Sequence, residues 1–169
     1  MQERALKAAG FAGEYREYPV KPEDLTGWLE TVGQLGMNGF NVTMPHKIPV
    51  WDWVLSKGRL GNPRRDQAIG ALNTVVMEEG RPIGYNTDGQ GGMDSLLNPL
   101  SGVAPFQTLK RVSVLLLGAG GAARSLAVYL KDAMEGGTLY LSNRDAEKWD
   151  SLCKKVGAEF VPEREIEKA

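Results

Sequence analysis

Polar side chains stand at several points of the sequence where predicted elements end. Lys47 follows an apolar segment that stops at Pro45, and Asp88 lies where a predicted strand passes into a helix. A lysine beside a carboxylate can act as a proton donor held by an orienting partner. Each residue taken singly has an ordinary alternative: Lys47 as a solvated helix residue and Asp88 as an N-cap. Hydrogen-bonding groups at strand ends are nevertheless typical of a pocket for a polar substrate. The others in this set are Asn41, Thr43, Asn73, Thr74, Asn86 and Thr87.

A glycine-rich turn forms the sharpest local signal. The apolar run 112–117 is followed at once by Gly118-x-Gly120-x-x-Ala123 and then by a helical pattern. In this strand–turn–helix context, the first glycine permits a tight turn, the second lets a pyrophosphate approach the backbone, and the small third residue packs helix on strand. The helix N-terminus would hold the phosphates. The pattern favours dinucleotide binding over the alternative, a tight turn that binds no ligand.

The next strand ends at a residue that could select the cofactor. An NAD site usually offers an acidic residue to the ribose 2′-hydroxyl, whereas an NADP site offers arginine to the 2′-phosphate. Arg144 occupies that neighbourhood, with Lys148 one turn further on. Asp145 would repel a phosphate unless Arg144 offsets it, or it could simply cap the next helix. The pattern favours NADP over NAD.

Two α/β lobes are predicted to position these residues. The proline- and glycine-containing stretch 98–110 is interpreted as their boundary, which divides the chain into a substrate-binding domain, 1–100, and a dinucleotide-binding domain, 101–169. In the first lobe, periodicity predicts helices over 4–9, 22–35, from Pro45 and from Asp88, and strands over 14–20, 39–44, 71–77 and 81–85, with a basic loop at 58–66. In the second, it predicts strands over 112–117, 138–142 and 158–161, and helices over 121–134 and 146–156.

Composition excludes several classes of protein. The 169 residues are 42% hydrophobic and 24% charged, which is ordinary globular usage. A net charge of −1, from 20 Lys+Arg and 21 Asp+Glu, shows no basic excess for nucleic acid or membrane surfaces. A single cysteine, Cys153, and a single histidine, His46, rule out a Cys/His zinc site, and no metal is predicted. We expect a cytoplasmic protein, because one cysteine suits a reducing compartment and the longest apolar run, 112–123, is too short to span a bilayer.

Five short segments, in the same order along the chain, resemble signature motifs of the shikimate dehydrogenase family. They are NVTMPHK (41–47), GALNT (70–74), GYNTDG (84–89), GAGGAARS (118–125) and NR (143–144). The resemblance implies an α/β fold, a substrate lobe followed by a Rossmann-type domain. It also implies reversible hydride transfer between NADP(H) and the 3-dehydroshikimate/shikimate pair, within aromatic amino-acid biosynthesis.

The resemblance also implies roles for individual residues. Lys47 and Asp88 would be the catalytic pair, with both also contacting substrate, and Asn41, Thr43 and Asn73 would bind the substrate hydroxyls. The cofactor-binding residues would be Gly118, Ala119, Gly120, Gly121, Ala122, Asn143, Arg144 and Lys148.

The sequence also departs from the family pattern. The family's opening strand and its serine-bearing segment, which binds the substrate carboxylate, have no counterpart, and the nucleotide domain stops after two or three strands. Both lobes are therefore expected to be incomplete. The alternatives are an NAD-dependent quinate/shikimate dehydrogenase and an inactive fragment that binds nucleotide weakly. We expect a monomer or homodimer in a full-length context, and an isolated chain that is marginally stable, self-associates and lacks shikimate oxidation.

Overall fold

A computed structural model describes residues 2–98, 108–118, 120–143 and 147–166, without the side chains of 147–150. Helices and strands alternate along the chain, as the α/β prediction requires. The chain divides into two compact units, Met1–Val32 and Gly33–Ala169. The predicted lobe boundary at 100/101 falls at a segment, 99–107, that lies outside the described residues, so that division stays a prediction.

The first unit is helical. Helix α1 spans Gln2–Ala8, a 3-10 helix spans Pro22–Asp24, and α2 spans Leu25–Thr31. The predicted strand over 14–20 was wrong: these residues form no strand. A strand needs a neighbour for its N–H and C=O groups, and neither of the two described sheets includes this segment. Instead, Val20 N donates locally to Tyr18 O, at 2.9 Å.

The second unit begins with a mixed four-stranded sheet. Its strands are β1 (Gly39–Asn41), β2 (Arg59–Leu60), β3 (Thr74–Glu78) and β4 (Arg81–Tyr85), in the order β1-β3-β4-β2. The hairpin β3–β4 is antiparallel, as predicted, and β2 joins β4 in parallel. Helices α3 (Lys47–Lys57), α4 (Pro63–Ile69) and α5 (Asp88–Leu97) complete this part.

The predicted loop over 58–66 was wrong in part, because it contains β2 and the start of α4. Asn62 caps α4 by accepting from Arg65 N at 3.3 Å, and Pro63 occupies the first helical position. An Asn-Pro pair is a recognised helix start. The local density of arginine and glycine concealed that signal.

A second sheet of three parallel strands follows. Its strands are β5 (Val114–Leu117), β6 (Leu139–Ser142) and β7 (Glu159–Phe160), and its helices are α6 (Gly121–Ala133) and α7 (Glu147–Val156), with α8 (Glu163–Ile166) at the end. Leu139 and Leu141 are buried with Leu130 of α6 and Leu152 of α7 in one apolar cluster. The end of β5 differs, because Leu117 is 64% exposed.

The two sheets are joined within the second unit by the packing of α5 against α6. Glycines allow it: a Cβ on Gly89 would lie 2.3 Å from Tyr129 Cδ2, and one on Gly92 would lie 2.9 Å from Leu126 Cδ1. The helix that begins at Asp88 and the helix that follows the glycine-rich turn therefore lie side by side.

Candidate active site

Lys47 and Asp88 form an ion pair. Lys47 is the first residue of α3 and Asp88 the first of α5. Lys47 Nζ donates to Asp88 Oδ2 at 2.6 Å, with side chains 17% and 22% exposed. The pair is thus largely shielded, yet solvent or a small molecule can reach it. The resemblance of the motifs implies that these two residues are a catalytic pair, and that role stays a prediction.

Asn73 fixes the second oxygen of Asp88. Asn73 Nδ2 donates to Asp88 Oδ1 at 2.7 Å and to Thr87 Oγ1 at 2.9 Å. Asn73 Oδ1 accepts from Thr87 N at 3.0 Å. Both oxygens of the carboxylate are therefore held by nitrogen donors, which orients Asp88 toward Lys47.

Backbone hydrogen bonds bring these three residues together. Leu72 N donates to Lys47 O at 2.9 Å, which joins the start of α3 to the segment before β3. Asn73 N donates to Tyr85 O at 3.1 Å, which joins that segment to the end of β4. The start of β3 and the ends of β1 and β4 thereby meet beside the N-termini of α3 and α5.

Asn41 extends this polar cluster, whereas Thr43 lies beside it. Asn41 Nδ2 donates to Thr74 Oγ1 at 3.3 Å, and Thr74 Oγ1 donates to Asn73 Oδ1 at 3.1 Å. Thr43 is exposed in the turn before α3, where its carbonyl accepts from His46 N at 3.0 Å. Amide, hydroxyl, ammonium and carboxylate groups together suit a substrate that carries several hydroxyls.

The glycine-rich turn lies between β5 and α6, as predicted. Gly118 has φ +110°, a conformation that side chains rarely adopt, and its N–H donates to Ser142 O at 2.9 Å. A Cβ on Gly120 would meet nothing within 4 Å, so the backbone there is open to an approaching group. An exposed glycine at the N-terminus of a 13-residue helix fits a pyrophosphate. Ala119 lies outside the described residues.

This turn lies directly beside the ion pair. A Cβ on Gly121 would be 2.9 Å from Lys47 Cδ and 3.5 Å from Ala71 Cβ. The first residue of α6 therefore contacts the lysine side chain. A cofactor held by the turn would therefore lie close to Lys47.

Two of the remaining predicted cofactor residues, Ala122 and Asn143, lie near the glycine-rich turn. Asn143 follows the last residue of β6, near the turn, and Ala122 is exposed in the first turn of α6. Arg144 and its neighbour Asp145 lie outside the described residues. Lys148 belongs to α7, but its side chain is among those not described. The choice between NADP and NAD by these residues therefore stays a prediction.

Sequence inspection missed the buried polar residues beneath the site. Asn86 Oδ1 accepts from Asp88 N at 3.0 Å and from Ser125 Oγ at 2.7 Å, and Asn86 Nδ2 donates to Ala71 O at 2.9 Å. The strand-to-helix turn drew attention to Asn86 only as one of several polar residues. Nothing in the sequence pointed to Ser125 as its partner, because 39 residues separate them.

Asp66 lies beneath the turn between β4 and α5 and is 2% exposed. Its carboxylate accepts from Asn62 N at 2.8 Å and from Asn86 N at 3.2 Å. Burial raises the pKa of this carboxyl above its ordinary value, and the two backbone N–H groups partly offset that rise. Asp66 thus links the start of α4 to the end of β4.

The described residues offer neither a membrane span nor a metal cluster. No helix in that part of the chain is long and apolar enough to cross a membrane. Within the same residues, no group of three or more His, Cys, Asp or Glu side chains could hold a metal ion.

Comparison with known proteins gives consistent matches. Residues 1–75 match the family described as "Shikimate dehydrogenase substrate binding domain". The NADP(+) shikimate dehydrogenase of Shouchella clausii (strain KSM-K16) is 37% identical over 171 residues, a match that covers 99% of this chain and 58% of that protein.

Solved structures agree with the sequence matches. The shikimate dehydrogenase of Aquifex aeolicus superposes with a TM-score of 0.83 at 32% identity, covering 99% of this chain and 59% of that one. The shikimate 5-dehydrogenase of Thermus thermophilus, in complex with NADP(H) and shikimate, gives 0.78 at 32% identity, covering 99% and 59%. This chain therefore spans little more than half the length of the proteins it matches.

Proposed function

Since the chain belongs to the shikimate dehydrogenase family along the part of the fold that it spans, we propose that it carries the reaction centre of an NADP-dependent shikimate dehydrogenase. The reaction is the reversible reduction of 3-dehydroshikimate to shikimate, a step of aromatic amino-acid biosynthesis. The single observation that carries the proposal is the Lys47–Asp88 ion pair in contact with the first residue of the glycine-rich turn helix.

NADPH fits the turn between β5 and α6. The open backbone at Gly118 and Gly120 and the N-terminus of α6, which begins with Gly121 and Ala122, suit the pyrophosphate. Ala119, Asn143, Arg144 and Lys148 would complete the site, with Arg144 taking the 2′-phosphate. When bound, the nicotinamide supplies the hydride.

Lys47 supplies the proton in this scheme. Reduction of the ketone develops negative charge on its oxygen, and an ammonium within hydrogen-bond reach can stabilise and then protonate that oxygen. Lys47 Nζ gives one of its three hydrogens to Asp88 Oδ2, so the others can face a substrate. In the reverse direction the neutral amine takes the proton from the shikimate hydroxyl.

Asp88 orients Lys47 and grips the substrate. One carboxylate oxygen holds Lys47 and the other is held by Asn73, which leaves lone pairs on both for a substrate hydroxyl. Asn41, Thr43 and Asn73 supply further groups for the remaining hydroxyls. A ring that carries hydroxyls on adjacent carbons suits this arrangement better than an apolar ketone does.

Turnover assays test the proposal. A full-length protein that contains this chain is assayed by NADPH absorbance with 3-dehydroshikimate, and in parallel with NADH and with 3-dehydroquinate as the other family substrate. We expect the pair of NADPH and 3-dehydroshikimate to give the highest kcat/KM. A preference for NADH or for 3-dehydroquinate would support the NAD-dependent quinate/shikimate alternative.

An inactive fragment that binds nucleotide weakly is the second candidate. It is favoured by the share of each relative that the chain spans, 58% of the Shouchella protein. Calorimetric titration with NADP(+) separates the two, because binding without turnover in every substrate combination would support the fragment.

We propose a monomer or homodimer in a full-length context and a cytoplasmic location. The sequence has one cysteine, Cys153, so no disulfide forms within the chain, which suits a reducing compartment. Size-exclusion chromatography with light scattering, and fractionation of cells, test these two points.

A further inference from the structure

Two helices that carry the proposed reaction centre start side by side. Helix α5 begins at Asp88 and α6 at Gly121, and the first turn of α5 packs closely on Ser125 of α6: a Cβ on Gly89 would lie 2.5 Å from Ser125 Oγ. Close contact of this kind sets how far apart the helices lie. It does not by itself fix how far one helix slides along the other, because apolar contact is non-directional.

A buried hydrogen bond fixes how far α6 can slide along α5. Ser125 is 0% exposed and Asn86 7% exposed, and Ser125 Oγ donates to Asn86 Oδ1 at 2.7 Å. The same oxygen accepts from Asp88 N, and the amide nitrogen of Asn86 is held by Ala71 O. Asn86 is therefore fixed to the segment before β3 and to the start of α5, and Ser125 attaches α6 to it.

We propose that Ser125 is a positioning residue: its hydroxyl, through Asn86, sets the register of the glycine-rich turn against Lys47 and Asp88. Ser125 lies one turn after Gly121, the residue in contact with Lys47. The hydrogen bond thus acts where a shift along α6 would move a bound cofactor relative to the proton donor. Its catalytic consequence rests on the function proposed above, whereas the register itself does not.

Amide hydrogen exchange of Ser125→Ala tests the register without any assay of activity. We expect the exchange of Asp88 N–H, which donates to Asn86 Oδ1, and of Arg124 N–H, which donates to Gly120 O, to accelerate about five- to tenfold, the factor of one ordinary hydrogen bond. Amides of β6 keep their rates. Unchanged exchange at Asp88, or an equal acceleration throughout the chain, would overturn the proposal.

Two further variants control for the position of the substitution and for the loss of side-chain volume. Ser95→Ala makes the same substitution on α5, where Ser95 Oγ is exposed and donates to its own helix at Gly91 O, and it should leave Asp88 exchange unchanged. Ser125→Cys keeps the shape and a weaker donor, so its exchange should fall between wild type and Ser125→Ala. If Ser125→Ala does not fold, the exchange rates of Ser125→Cys are compared with those of the wild type instead. Exchange of Ser125→Cys as slow as wild type would count against the hydroxyl as the cause.

The kinetic consequence is measured separately with NADPH and 3-dehydroshikimate. Ser125→Ala should lower kcat about tenfold and leave both KM values unchanged, because the binding contacts remain and only the alignment changes. A rise in KM with normal kcat would contradict positioning. If the wild type shows no turnover in a full-length context, the proposed function fails, and the exchange result still decides whether Ser125 sets the register.

Discussion

Lys47 Nζ and Asp88 Oδ2 lie 2.6 Å apart although 41 residues separate them in the chain. Two helix N-termini bring them together, with Lys47 opening α3 and Asp88 opening α5. A carboxylate is favoured at a helix N-terminus and an ammonium is not. The pair therefore offsets the unfavourable position of the lysine, and it leaves the ammonium facing the polar cluster.

In a full-length context, Lys47→Ala should lower kcat on the order of 100-fold and raise KM much less, because a proton donor acts mainly in the transition state. Steady-state reduction of 3-dehydroshikimate measures both constants. Lys57→Ala, in the last turn of the same helix, is the matched control and should keep normal kcat. Near-normal kcat in Lys47→Ala would show that another group supplies the proton.

Asp88→Asn should damage both kcat and KM. It removes the charge partner of Lys47, and its amide nitrogen cannot accept a hydrogen bond, so Lys47 or Asn73 loses its acceptor. We expect kcat to fall about 10- to 100-fold with a clear rise in the KM of the substrate. Asp94→Asn on the exposed face of α5, where Asp94 contacts Gln90, should change neither. A change in KM alone would assign Asp88 to binding only.

Arg144→Ala should weaken NADP(+) binding much more than NAD(+) binding, because only NADP(+) carries the 2′-phosphate. Calorimetric titration with each cofactor measures the two dissociation constants. Asp145→Ser should strengthen NADP(+) binding if Asp145 faces the ribose. Equal losses for both cofactors in Arg144→Ala would mean that Arg144 does not contact the 2′-phosphate.

Two glycines of α5 should respond to alanine with opposite sign. Gly89→Ala places a Cβ 2.3 Å from Tyr129 Cδ2, so we expect a loss of about 1–3 kcal/mol in the free energy of unfolding. Gly91→Ala meets nothing within 4 Å and should gain up to about 1 kcal/mol, because alanine favours the helix. Urea unfolding measures both. Destabilisation by Gly91→Ala similar to that by Gly89→Ala would contradict the close packing of α5 on α6.

Asp66 should make the stability of the fold depend on pH. Its pKa in the folded state is raised above the ordinary value of 3.8, so the folded state binds the proton more tightly than the unfolded chain. This contribution is full below the ordinary pKa and is lost as pH rises through the raised one. Relative to Asp66→Asn, the wild type should therefore lose free energy of unfolding as pH rises from about 3.8.

Urea unfolding at several pH values measures that difference, with Asp94→Asn as the control for the loss of an exposed carboxylate. Parallel pH curves for the wild type and Asp66→Asn would show that the Asp66 carboxyl titrates normally. A wild type that gains stability with pH relative to Asp66→Asn would show that the backbone donors from Asn62 and Asn86 outweigh burial.

Much of the fold and most of the polar cluster follow from the sequence alone. The hairpin β3–β4, the strand and helix on either side of the glycine-rich turn, and the helix that begins at Asp88 were all predicted from local patterns. These elements are visible because periodicity, caps and glycines act within a few residues of the chain. The motifs also identified Lys47 and Asp88 as partners before any distance was known.

The tertiary structure alone decided how those elements meet. The segment 14–20 alternates like a strand but forms none, because a strand depends on a neighbour that no local pattern specifies. The contact of Gly121 with Lys47, and the bond from Ser125 to Asn86 across 39 residues, likewise join segments that are distant in the chain. Residue types show which groups could react or bind. The packing between α5 and α6 determines which of these groups face one another, because side-chain contacts depend on the whole arrangement of elements.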